Sequence, residues 1–202
     1  PSLTLIPYTP YIQSSSKSWS CGYACFNMLT SSLGHKPISI VTAQRLIERA
    51  WEMGLDEEGK KHYGGKIVGK RGKSAWTGPK EFQTVLLASG VEMDKILNPY
   101  FELGEIEPTT GVRVVDAGGE AFNWIINYLK KDKGRDRGAV MLTYPGHSMA
   151  VVGYGLTSKG EESLVFLDPN IPTDSMVRAA RKGKAEGLKL TKERMREKGK
   201  WE

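Results

Sequence analysis

The chain has 202 residues, 39% hydrophobic and 26% charged, enough for a substantial buried core and outside the composition of disordered or collagen-like chains. No apolar run approaches the ~20 residues that cross a bilayer, so no membrane partner is expected, and the proline-containing opening Pro1–Pro10 does not read as a secretory leader. The net charge of +6 belongs to one end: residues 178–202 hold 10 of the 29 Lys and Arg and 4 of the 23 Asp and Glu, leaving 19 of each for residues 1–177.

In chain order, residues 1–20, with prolines at 1, 7 and 10 and the cluster Ser14-Ser15-Ser16, read as extended chain and loop. From Cys21 apolar residues recur at helical spacing through Tyr23, Phe26, Leu29 and Leu33, and Gly34 supplies a stop. Ser39 then precedes a second amphipathic helix through Ile40, Ala43, Ile47 and Trp51, ending near Gly54. The glycine- and lysine-rich stretch Asp56 to Ser74 reads as a loop, and Pro79 opens a third helix closed by Gly90. Segments Val91–Leu97 and Val112–Val115 are strand-like, Ala121–Leu129 is a fourth helix, and Lys130–Gly138 is an exposed turn. Three strand-like runs follow closely: Ala139–Thr143, Ser148–Tyr154 and Ser163–Leu167. Helices followed by an antiparallel meander predict an α+β fold in one domain, with a core over 11–185 and a basic tail over 178–202. Such a tail suits nucleic acid or an acidic protein face, or is a solvated helix face.

Cys21 and Cys25 are the only cysteines. A bridge between residues so close would close almost no loop and would need distorted geometry on a helix. A reducing compartment, cytoplasm or nucleus, is expected. Cys21 stands where loop becomes helix, the place where partial positive charge and free N–H groups stabilise a thiolate. Gly22 leaves room for a substrate carbonyl to approach the backbone, whereas Cys25 lies one turn further in and reads as packing. His147, after Pro145-Gly146, opens a strand, and Asp168 ends the next one before Pro169-Asn170. Adjacent antiparallel strands can set that imidazole and carboxylate side by side, with Cys21 as nucleophile, His147 as base and Asp168 as orienting group. The order Cys, His, Asp is one that papain-like enzymes use. An oxyanion needs two donors: the Cys21 N–H is one, and the other falls to Gln13, with Tyr11 and Trp19 as rivals. A zinc site from Cys21, Cys25 and His35 or His62 has too few ligands at unsuitable spacing, so neither metal nor cofactor is expected.

The run Cys21-Gly22-Tyr23, followed by Phe26-Asn27-Met28-Leu29, resembles the active-site helix of the ZUFSP deubiquitinases, relatives of the proteases for the ubiquitin-fold modifier. Ile47 to Asp56, Gly64 to Gly69, Trp76 to Glu81, Gly146-His147-Ser148 and Leu167-Asp168-Pro169 are similar to further motifs of that family in the same order. The resemblance implies a papain-like fold and hydrolysis of isopeptide bonds after the C-terminal glycines of ubiquitin, with polyubiquitin as partner. It implies Cys21, His147 and Asp168 as triad, Gln13 as oxyanion donor, Trp76 as a wall for the paired glycines, and Asp56 and Glu81 as carboxylates for the arginines of the ubiquitin tail. The chain departs from the family at Ala24-Cys25 and Asn27 and in a longer loop before Trp76. Asn170 stands where relatives closer to the modifier proteases carry histidine, which favours ubiquitin. A protease for another ubiquitin-like modifier, or a ubiquitin-binding module without turnover, are the rival readings. A monomer is expected.

Overall fold

A computed structural model describes residues 3–6, 12, 19–91, 117–131, 138–144, 146–156, 159–171 and 189–191. Of the expected strand at 91–97 only Val91 is described. The expected strand at 112–115 and residues 132–137 of the expected turn lie outside the described residues.

The fold is α+β. Strand β1 (Leu3–Leu5) precedes helices α1 (Cys21–Ser32), α2 (Ile40–Glu52), α3 (Glu57–His62), α4 (Pro79–Ala88) and α5 (Ala117–Lys130). Strands β2 (Val140–Tyr144), β3 (His147–Leu156), β4 (Glu162–Leu167) and β5 (Lys189–Thr191) then complete one antiparallel sheet. The long strand β3 is its spine: β1 and β2 pair with different stretches of one edge, β4 with the other, and β5 with the far edge of β4.

Several boundaries follow from local chemistry. Ser39 caps α2 by accepting the Thr42 N–H at 3.0 Å, and Gly34, Gly54 and Gly90 turn at positive φ just past three helix ends. Helix α3 lies inside the stretch read as loop. Its sequence EEGKKH has no apolar period, but Asp56 accepts the Gly59 N–H at 3.1 Å. Acidic residues fill its first turn and basic residues its last, which suits the helix dipole. Helix α5 begins four residues before its expected start, because Ala117-Gly118-Gly119-Glu120 carries no apolar stripe. Strand β1 falls in the stretch read as extended chain and loop, and β5 in the basic tail. Each pairs through only three residues, too few for an alternating pattern.

Helix α1 lies between two apolar clusters and is buried on most sides. Cys25 and Met28 face the cluster formed with α5 and the sheet, among Phe122, Ile125, Met149 and Val151. Tyr23 and Phe26 face the other, with Ile47 and Trp51 of α2 and Phe82 and Val85 of α4. The Phe26 and Phe82 rings stack at 4.4 Å and Tyr23 meets Phe82 edge-on at 5.7 Å. A bulge between Val151 and Gly153 shifts the β3–β4 register. There the Val152 carbonyl accepts the Ile6 N–H at 2.8 Å. A Cβ on Gly153 would stand 2.3 Å from the Thr4 carbonyl oxygen, so the close seating of β1 needs glycine at that position.

Candidate active site

Cys21 is the first residue of α1 and 7% exposed. Ser20 ahead of it makes no side-chain cap bond, so the helix start is not closed by its own cap. The His147 imidazole and the N–H groups of Ser148 and Gly22 each hydrogen-bond the sulfur. His147 opens β3 after the tight turn at Gly146, whose φ is 80°. Asp168 follows the last residue of β4, and its Oδ1 lies 2.9 Å from His147 Nε2. The β3–β4 register, with Ala150 opposite Leu167, accounts for the meeting. Followed toward the start of β3 and past the end of β4, it carries residues 168–170 alongside 147–149.

Asn170 completes the arrangement. Its backbone N–H donates to Asp168 Oδ1 at 2.9 Å, and its side-chain amide nitrogen lies 3.3 Å from His147 Nδ1. The sequence reading gave Asn170 as part of the turn after Asp168 and as a departure favouring ubiquitin, and missed both its contact with His147 and the Ser148 N–H. A backbone group carries no residue-type signal, and the Asn170 contact depends on the register of two strands.

Burial by itself would raise the Cys21 thiol, but the bonds from His147 and from the Ser148 N–H, the histidine charge and the Gly22 N–H outweigh it and bring it below its ordinary value. Burial likewise disfavours a charged His147, yet the bonds and charges of Asp168 and Cys21 lift it to about 9. Together these shifts move the thiol and the imidazole toward the thiolate–imidazolium form. Cys25, fully buried, is pushed well above the ordinary thiol by desolvation, with smaller contributions from the charges of Cys21 and Asp168. The two thiols are thus shifted in opposite directions, and a lowered thiol is the more reactive one.

The expected space above Gly22 is filled by the protein itself: a Cβ there would stand 2.3 Å from the Thr77 carbonyl oxygen. The glycine admits Thr77 rather than a substrate carbonyl, and so brings the loop before α4 onto the first turn of α1. Trp76, the residue before Thr77, is 38% exposed, unlike the buried Trp51. Tyr63 Oη donates to the Trp76 carbonyl, and Tyr23 Oη donates to that of Ala75 at 3.1 Å. Glu81 is half-buried and accepts the Gly78 N–H at 2.7 Å, capping α4. Asp56 is not an open rim carboxylate, since its side chain is 3% exposed. Oδ1 takes the Gly59 N–H and pairs with Lys80 Nζ at 3.3 Å, while Oδ2 is buried without a hydrogen-bond partner. Gln13 and Tyr11 lie outside the described residues. The Trp19 ring meets Tyr23 edge-on at 6.0 Å. Among the described residues, no three His, Cys, Asp or Glu side chains group as metal ligands would.

A thiol, an imidazole and a carboxylate brought together in space are the groups that acyl transfer to a thiol can use. Comparison with known proteins points the same way. Residues 6–201 match the model of Peptidase family C78. The chain is 29% identical over 178 residues to Zinc finger-containing ubiquitin peptidase 1 of Rattus norvegicus, a match covering 79% of this chain and 29% of that protein. Against the Homo sapiens protein of the same name the identity is 27%, covering 79% of this chain and 28% of the relative. The chain thus spans under a third of the length of these relatives.

Proposed function

This chain belongs to Peptidase family C78, and from that membership we propose that it is a thiol isopeptidase cutting after the C-terminal Gly-Gly of ubiquitin, with polyubiquitin chains as substrate. The observation that carries the chemistry is the 2.9 Å contact of Asp168 with an imidazole that also bonds the Cys21 sulfur. The Cys21 thiolate attacks the carbonyl carbon of the terminal glycine. The His147 proton passes to the departing lysine amine, and water, activated by the same imidazole, releases the acyl group. Gln13 and the Cys21 N–H supply the oxyanion donors. The choice of ubiquitin rests on the relatives, which are named as ubiquitin peptidases, and on Trp76, whose exposed indole suits one wall of a slot that admits only residues without side chains.

In this reading Glu81 meets an arginine of the substrate tail, and Asp56 joins it only once Lys80 moves aside. A reducing compartment, cytoplasm or nucleus, suits an enzyme with a reactive free thiol. The test is incubation with each linkage type of di-ubiquitin, beside Cys21→Ala. Cleavage by the native chain and none by the variant, which should still bind ubiquitin, is expected. Labelling of Cys21 only by a probe built on another modifier would transfer the activity to that modifier. Failure of Cys21 to react with any such probe would leave a binding module.

A further inference from the structure

The stretch from Tyr63 to Trp76 has little regular structure, only a 3-10 turn at Gly72–Ala75, and yet its backbone is tied down from behind. Two side chains one turn apart on α2 do this. Glu48 Oε1 accepts the consecutive N–H groups of Ile67 and Val68 at 2.6 and 2.7 Å. Gln44, 0% exposed, accepts the Gly69 N–H at 2.9 Å and donates to the Lys70 carbonyl at 3.1 Å. The same amide nitrogen lies 3.5 Å from Tyr23 Oη, whose proton goes to the Ala75 carbonyl. Tyr23 stands two residues after Cys21. One buried amide thus joins α2, the helix bearing the nucleophile and the loop that ends at Trp76.

We propose that Gln44 is a positioning residue for substrate recognition: through Gly69, Lys70 and Tyr23 it fixes the loop presenting Trp76 against the helix that carries Cys21. The cleft wall is then set before substrate arrives. A buried amide with its oxygen and nitrogen both engaged is a costly choice for a fully buried position beside Tyr23, where an aliphatic residue would pack without desolvating polar atoms. What the amide adds is a fixed place for a loop that has no ladder or helix of its own, and preorganised walls bind without first being ordered. The proposal rests on the reading that Trp76 meets the substrate tail.

Gln44→Met keeps the length and apolar bulk of the side chain while removing both bonds, and Gln44→Glu retains the acceptor for Gly69. With ubiquitin–aminomethylcoumarin, Gln44→Met is expected to lower kcat/KM roughly 10-fold or more, chiefly through KM, with Gln44→Glu recovering part of the loss. The rate of Cys21 alkylation by iodoacetamide, which does not use the cleft wall, stays within about twofold. Because Gln44 acts through Trp76, adding Gln44→Met to Trp76→Ala costs little beyond Trp76→Ala alone. Hydrogen exchange at the Gly69 amide quickens in Gln44→Met with no substrate present. Additive losses, an equal fall in alkylation, or unchanged exchange would each overturn the role of Gln44. Absence of wild-type turnover of the coumarin substrate, with faster exchange still seen in Gln44→Met, would instead remove the ubiquitin reading and keep the clamp.

Discussion

His147 is engaged at both ring nitrogens, by Asp168 at Nε2 and by Asn170 at Nδ1. Burial opposes protonation, but the bonds and charges of Asp168 and Cys21 raise the ring from 6.5 to about 9. A ring raised in this way keeps its proton as pH climbs past its ordinary value and gives it up only near the new one. Cleavage that depends on the imidazolium is therefore expected to hold through neutral pH and fall near pH 9. Asp168→Asn should move that alkaline limb to lower pH and reduce kcat by roughly 100-fold or more, as a pH–rate profile would measure. Cys25 makes the converse case. Replacing its buried thiol by a hydroxyl in Cys25→Ser places an oxygen in an apolar cluster, at a cost of about 1–3 kcal/mol, read as a lower denaturation midpoint. Alkylation of the native protein should modify Cys21 alone, as mass spectrometry of the labelled peptides would show.

At the scale of elements, β3 carries the greatest responsibility. It holds His147 at its start, takes β4 along one edge so that Asp168 reaches the ring, and seats β1 over Gly153. Gly153→Val puts side-chain atoms where the Thr4 carbonyl lies, and loss of β1 pairing is expected. The cost is about 1–3 kcal/mol of stability, with faster amide exchange at Ile6, whose N–H bonds Val152. Most helices were legible because their signals are local: apolar residues three and four apart, Ser39 as a cap, and Gly34 and Gly54 as stops. Helix α3 was not, because its cohesion comes from Asp56 and from end charges rather than from an apolar stripe. The two three-residue strands were not legible either, since each exists only by pairing with a neighbour remote in sequence.

For the molecule as a whole, the basic end is partly built into the sheet. Lys189, Leu190 and Thr191 pair with Val165, Leu164 and Ser163, covering the edge of the strand that leads to Asp168. Ending the chain after residue 177 removes that cover and exposes a strand edge. A loss of about 1 kcal/mol, or roughly 2–4 °C in Tm, is expected by calorimetry, with triad activity reduced rather than abolished. The same shortened chain tests the charge reading: salt-dependent RNA binding seen only in the full chain would assign the basic segment that partner.

The sequence alone determined most of the helices and the strands of the meander, and marked Cys21, His147 and Asp168 as candidates by residue type at element boundaries. Only tertiary structure decided which atoms meet them. The Ser148 N–H at the sulfur, Asn170 beside Nδ1 of the imidazole, Thr77 over Gly22 and Lys80 on Asp56 are products of strand register and loop packing. Those contacts join positions far apart along the chain, and a pattern read over a few neighbouring residues carries no information about which distant backbone will arrive beside it.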